Sequence, residues 1–251
     1  MSTENPVEET FISHLIELRD RLVKASIGIL IATAALMFWP GPAQIYDLIA
    51  QPMIAALPVG SKMIATGVIA PFLVPMKVTL LLGFVLSLPW VLYQMWAFVA
   101  PGLYTHEKRL VAPLVISSSL LFVGGVAFCY FLVFGRVFAF ISEFSPTSIA
   151  VTPDIENYLD FVMSMCLAFG AAFEVPVVVV ILVRMGIVSL AKLKEWRPYV
   201  IVGAFVIAAI VTPPDVVSQF SLAIPMWLLF EVGLLVSPLF VRMTRSPEEQ
   251  V

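Results

Sequence analysis

The chain reads as long apolar blocks separated by short polar or proline-rich breaks. Six apolar runs stand out. They extend from about Val23 to Phe38, Met76 to Val99, Pro113 to Ile141, Tyr158 to Met185, Tyr199 to Val211 and Gln219 to Val236. Their breaks carry the expected punctuation: Trp39-Pro40-Gly41-Pro42 after the first run, Pro101-Gly102 after the second, Thr212-Pro213-Pro214-Asp215 after the fifth and Pro238 after the sixth. A run of about 20 residues matches a bilayer core of about 30 Å. The pattern therefore predicts an all-α polytopic membrane protein with six transmembrane helices in a single integral domain, 1–251, with a short fifth and sixth helix. The fifth run, about 13 residues, would reach only about 20 Å. A hairpin that short must thin the bilayer or sit beside a submerged protein surface.

Two segments outside the runs carry structure of their own. In the first, spanning residues 1–22, Asn5-Pro6 reads as a helix N-cap with proline at the first helical position. Glu8 is placed to complete a capping box. Phe11, Leu15, Leu18 and Leu22 then recur at helical spacing, which predicts an amphipathic helix continuous with the first span. The second segment, residues 40–75, is rich in proline and apolar residues and predicts a structured external cap loop. Residues 239–251 are expected to form a cytoplasmic tail.

Composition agrees with the membrane reading. Hydrophobic residues make up 61% and charged residues 12%, about half the charged share of an ordinary soluble domain, with a mean hydropathy of +1.01. Strands of a membrane barrel would alternate and would not average so apolar. The 14 basic residues are unevenly placed. Arg19, Arg21, Lys24, Lys108, Arg109, Arg184, Lys192, Lys194, Arg197, Arg242 and Arg245 fall on one set of loops. Lys62, Lys77 and Arg136 fall on the other. Basic loops stay cytoplasmic, so both termini are expected in the cytoplasm, consistent with an even number of spans. No cleavable signal peptide is expected, since the first apolar run follows an acidic, amphipathic stretch.

Candidate chemistry is sparse. The two histidines, His14 and His106, lie at the cytoplasmic edge, and no metalloprotease, phosphate-loop or Ser-His pattern is present. Neither an enzyme nor a metal or cofactor site is expected, and Cys129 and Cys166 read as packing thiols. Two acids inside spans, Glu174 and Glu231, are functional candidates because a membrane-embedded carboxylate is costly. Pro176 should kink the helix carrying Glu174 and open a polar notch there. The other reading is a protonated Glu174 bonded to a neighbouring helix, which is also the simpler reading of Glu231. At the cytoplasmic edge, Glu17 can pair with Arg21 at i,i+4. Glu107 can sit in the first turn of the third span with Thr105 as N-cap. From the residues alone, an ion-coupled small-solute transporter using Glu174 and a purely structural scaffold stay open.

A set of motifs narrows the field: His14–Arg19 (HLIELR), Tyr93–Pro101 (YQMWAFVAP), Leu103–Arg109 (LYTHEKR), Phe169–Pro176 (FGAAFEVP), Arg197–Phe205 (RPYVIVGAF) and Thr212–Asp215 (TPPD). In this order and spacing the chain resembles the TatC family of twin-arginine translocases over nearly its whole length. The resemblance implies a receptor for the twin-arginine signal peptides of folded cargo, in the bacterial inner membrane. Its implied partners are TatA, TatB and other TatC copies, with the proton motive force as driver and no nucleic acid. It places the signal-peptide-binding residues at Glu17, Glu107 and Phe98, with Leu18, Arg19 and His106 from the same motifs. Pro213, Pro214 and Asp215 form its tight turn. The resemblance also leads one to expect an acid near Gly67 in the cap, which this chain lacks.

Overall fold

The computed structural model describes residues 6–57, 62–99, 111–144, 152–212 and 215–242. Every regular element among them is helical. α1 (Pro6–Phe38) is followed by α2 (Pro42–Ala56) in the cap, α3 (Ala70–Val99), and α4 (Val111–Phe128) leading through a π-helical turn at Cys129–Val133 into α5 (Phe134–Phe144). α6 (Ile155–Phe173), α7 (Val175–Arg184), the short α8 (Leu190–Glu195), α9 (Arg197–Val211) and α10 (Val216–Arg242) complete the chain. Among the described residues, five helical stretches are long and apolar enough to cross a membrane, and α9 is a shorter apolar helix. The six spans are thus α1, α3, α4–α5, α6–α7, α9 and α10. One face of the bundle, the terminal face, holds the start of α1 and the end of α10; the opposite cap face holds α2.

The amphipathic segment and the first span form one unbroken helix of 33 residues, because no proline between Pro6 and Phe38 removes a backbone donor. The fourth span breaks where proline dictates. Glu174 ends α6 and precedes α7, with Pro176 in the first turn of α7. The fifth span is short, at 15 residues. The sixth is not: α10 runs for 27 residues and passes through both Pro225 and Pro238, so the expectation of a short sixth helix stopping before Pro238 is corrected. Pro238 withholds the amide that would bond Leu234 O, and the Ser237 hydroxyl donates to that carbonyl instead, at 3.3 Å.

Small residues set the closest helix contacts, as expected where no hydrophobic drive separates protein from lipid. α1 and α3 pack antiparallel. A Cβ at Gly28 would run into the Trp90 ring, and one at Gly83 would clash with Thr33. The Trp90 Nε1–H also donates to Lys24 O at 2.9 Å. Between α4 and α6 the arrangement is reciprocal: Gly125 lies against the Phe169 backbone, and Gly170 against the Phe122 ring.

The cap is fastened from below. Pro52 lies inside α2 and cannot donate to Leu48 O. The Tyr130 hydroxyl, carried on the π-turn, donates to that carbonyl at 2.5 Å, and Tyr158 donates to the next one, Ile49 O, at 2.8 Å. A parallel bridge joins Ile64 to Asp154. Asp154 caps α6 by accepting from Asn157 N and also accepts from the backbone and hydroxyl of Thr66. These hydrogen bonds, led by the Asn157 amide, hold the exposed Asp154 carboxyl below its usual range. The acid expected near Gly67 has a counterpart here. The Glu156 carboxylate, from the first turn of α6, lies 3.1 Å from where a Cβ on Gly67 would be, so an acidic group reaches that place from another element.

Candidate functional site on the terminal face

On α1, positions 14, 17, 18, 21, 25 and 28 recur every three or four residues and share the side turned toward α3. Ala25 is buried there and Gly28 touches Trp90. Because α3 runs antiparallel, its last turns lie beside the first turns of α1. His14 and Phe98 meet there with ring centroids 4.4 Å apart and planes inclined by 25°. One turn further along α1, the Arg21 guanidinium donates twice to Glu17 Oε1, from Nε at 2.9 Å and from Nη2 at 2.6 Å. The i,i+4 pairing read from the spacing is therefore formed. Glu17 keeps 36% of its side chain exposed and Arg21 24%, so the pair sits at the rim of the interface and stays reachable.

The remaining expected residues divide in three ways. Leu18 is half-buried. Arg19 is exposed, and its guanidinium is engaged by Asp20 at 2.8 Å. Leu15, Leu18, Leu22, Val23 and Ile27 form a shallow apolar surface running down α1 from this point. Glu107 and His106 lie outside the described residues, so the structure brings Glu17 and Phe98 to one face without describing how Glu107 stands to them. His14 was not among the residues the motifs implied as peptide-binding. Its signal was available, since it lies three residues before Glu17 on the same helical face. Its contact with Phe98, 84 positions later, was not.

The two intramembrane acids sit in different surroundings. Glu231 accepts from Arg197 Nη2 at 2.7 Å, an ion pair that ties the start of α9 to the middle of α10. Glu174 sits at the α6–α7 break. Its Oε1 and the Ser118 Oγ of α4 are both buried without a hydrogen-bond partner among the described residues. Asp215 is the N-cap of α10: its Oδ1 accepts from Ser218 N at 2.7 Å, while Oδ2 is buried and unpartnered. Pro213 and Pro214 lie outside the described residues. Cys129 and Cys166 are buried free thiols. Among the described residues, no group of three or more His, Cys, Asp or Glu side chains could hold a metal ion.

The family described as Sec-independent protein translocase protein (TatC) matches residues 13–225. The chain belongs to the TatC family. The Sec-independent protein translocase protein TatC of Escherichia coli (strain K12) is 50% identical over 245 residues, covering 97% of this chain and 94% of that one. Its counterpart from Azotobacter chroococcum mcd 1 is 51% identical over 223 residues, covering 89% and 87%. Two solved structures described as the twin arginine translocase receptor TatC share the fold. One has a TM-score of 0.77 at 36% identity and covers 90% of this chain and 98% of its own; the other, in the detergent DDM, has 0.79 at 35% and covers 89% and 99%. This family transports proteins and does not catalyse covalent chemistry, which displaces the small-solute transporter reading that Glu174 had kept open.

Proposed function

We propose that this chain is the signal-peptide receptor and scaffold of a twin-arginine translocase in a bacterial inner membrane. Its terminal face is cytoplasmic and reads the arginine pair of folded cargo. The observation that carries this reading is Glu17 standing on the same face as the His14–Phe98 stack, in a chain that shares its fold with a solved twin arginine translocase receptor. A guanidinium is a rigid fork that can meet a carboxylate at two points, which an ammonium cannot. Glu17 and Glu107 supply the carboxylates and Phe98 an aromatic wall held by His14, with Leu18, Arg19 and His106 around them. The apolar segment of the peptide follows the apolar surface of α1. TatA, TatB and further copies of the chain complete the assembly, driven by the proton motive force. Photo-crosslinkers placed at positions 17 and 107 test the site directly. Adducts with a twin-arginine peptide at both positions are expected, and their absence at both would remove the reading.

The orientation has its own test. Single cysteines at Thr105, Lys194 and Ser246 should react only with reagents on the cytoplasmic side, and those at Ser61, Pro146 and Asp215 only from outside. The basic loops cannot cross the membrane cheaply. Labelling of position 194 from outside would reverse the assignment.

Glu174 is proposed to line a hydrated notch where partner helices or cargo meet a bilayer thinned by the short α9. Glu174→Gln preserves shape and hydrogen bonding, whereas Glu174→Leu fills the break with an apolar group. Export assays should show near-normal transport for the first and impaired transport for the second. Full activity in both would leave Glu174 as packing.

A further inference from the structure

We propose that Arg21 is the resting occupant of the arginine-reading site on α1, and that cargo gains Glu17 by exchange with it. This inference rests on Glu17 reading a cargo arginine. The geometry is the basis. Two nitrogens of one guanidinium converge on Glu17 Oε1 at 2.9 and 2.6 Å, a guanidinium–carboxylate contact for which an incoming arginine would compete. Arg21 is held to Glu17 by helix spacing alone, four residues along one face, whereas Arg19 is turned to Asp20. A partly exposed pair of this kind opens and closes readily, because its net worth is small against the freedom of two long side chains. The acid is therefore satisfied while the receptor is empty, and available when a better-placed guanidinium arrives.

Exchange has a definite thermodynamic form. A ligand that needs the open carboxylate has its apparent affinity reduced by the fraction of receptors in which Arg21 has let go. That factor is common to every ligand using Glu17. It leaves the ratio between twin-arginine and twin-lysine peptides unchanged. It lowers both, which moves the weaker, one-point lysine ligand further below a useful occupancy. For a pair closed about as often as open, or twice as often, the factor is about two- to threefold.

The experiment uses the full chain in lipid nanodiscs, with labelled twin-arginine and twin-lysine peptides titrated by fluorescence anisotropy. In Arg21→Gln both peptides should bind about two- to threefold tighter, with their affinity ratio unchanged. In a Glu17→Gln background the same substitution should have no effect, since the competitor then has nothing to hold. Arg21→Lys should tighten binding by a smaller factor, because an ammonium still competes at one point. Either arginine variant suffices if the other does not insert. Weaker or unchanged binding in Arg21→Gln and Arg21→Lys, with Glu17→Gln still weakening the twin-arginine peptide, would overturn the exchange and leave Glu17 as the reader. If Glu17→Gln itself changes nothing, both the exchange and the reading beneath it fall.

Discussion

The Glu17→Ala, Glu107→Ala double variant should bind a twin-arginine peptide at least tenfold more weakly, and the loss for a twin-lysine peptide, which makes only a one-point contact with each acid, should be much smaller. A hydrogen bond to a charged group contributes about 1.5–3 kcal/mol, which converts to roughly tenfold to hundredfold in affinity per contact. Glu17 keeps 36% of its side chain exposed, and solvent screening pulls its share toward the lower figure. Displacement of Arg21 pulls it down further, since the hydrogen bonds that cargo makes to Glu17 replace a pair already formed within α1. The two single variants should be sub-additive if one cargo arginine can shift to the remaining acid. Twin-lysine binding serves as the internal control, because it lacks the two-point contact that the substitutions remove. Unchanged twin-arginine binding in the double variant, with the protein inserted and folded, would leave both acids as helix-end electrostatics.

The second large effect is structural. Gly125→Val should sharply reduce the yield of folded protein in detergent, whereas Gly124→Val, one residue earlier on the same helix, should leave it near normal. A Cβ on Gly125 would run into Phe169 O and lie 2.9 Å from the Phe169 carbonyl carbon, while nothing lies within 4 Å of one on Gly124. The obstacle at Gly125 is backbone, so no rotamer change relieves it. α4 and α6 must part, and Phe122 then loses its seat against Gly170. Forcing extra methyl groups into a packed contact costs about 1–3 kcal/mol and more when the backbone must move. At the upper end this lowers the melting temperature by roughly 6–12 °C for a chain of this size. Thermal unfolding followed by tryptophan fluorescence would decide it. Equal melting of the two variants would mean that α4 and α6 do not meet at backbone distance.

The helical hydrogen bond is local, and so is the effect of proline on it, which is why much of the span plan was legible. The apolar runs marked all six spans, and Pro176 marked the break at Glu174. The short fifth span followed from counting the residues of the apolar run from Tyr199 to Val211. Where a proline's lost bond found a substitute donor, the local rule misled. α10 runs on past Pro238, with the Ser237 hydroxyl on the freed carbonyl, and the expected end of the sixth helix came too early. The same blindness hid the fastening of α2, where the carbonyl freed by Pro52 is taken up by Tyr130, 82 positions away.

By itself, the sequence determined that this is a six-span helical membrane protein with most of its basic residues on one set of loops. It also determined, through ordered motifs, which family to compare and which acids to watch. Spacing alone settled one contact of the site, the Glu17–Arg21 pair, because both residues sit on one helix. Everything that joins different elements was decided by tertiary structure: His14 against Phe98, Arg197 with Glu231, and Glu156 beside Gly67. The physical reason is the range of the forces read. Periodicity and helix propensity act over a few residues, whereas these partners lie 34 to 89 positions apart and meet only once whole helices have packed.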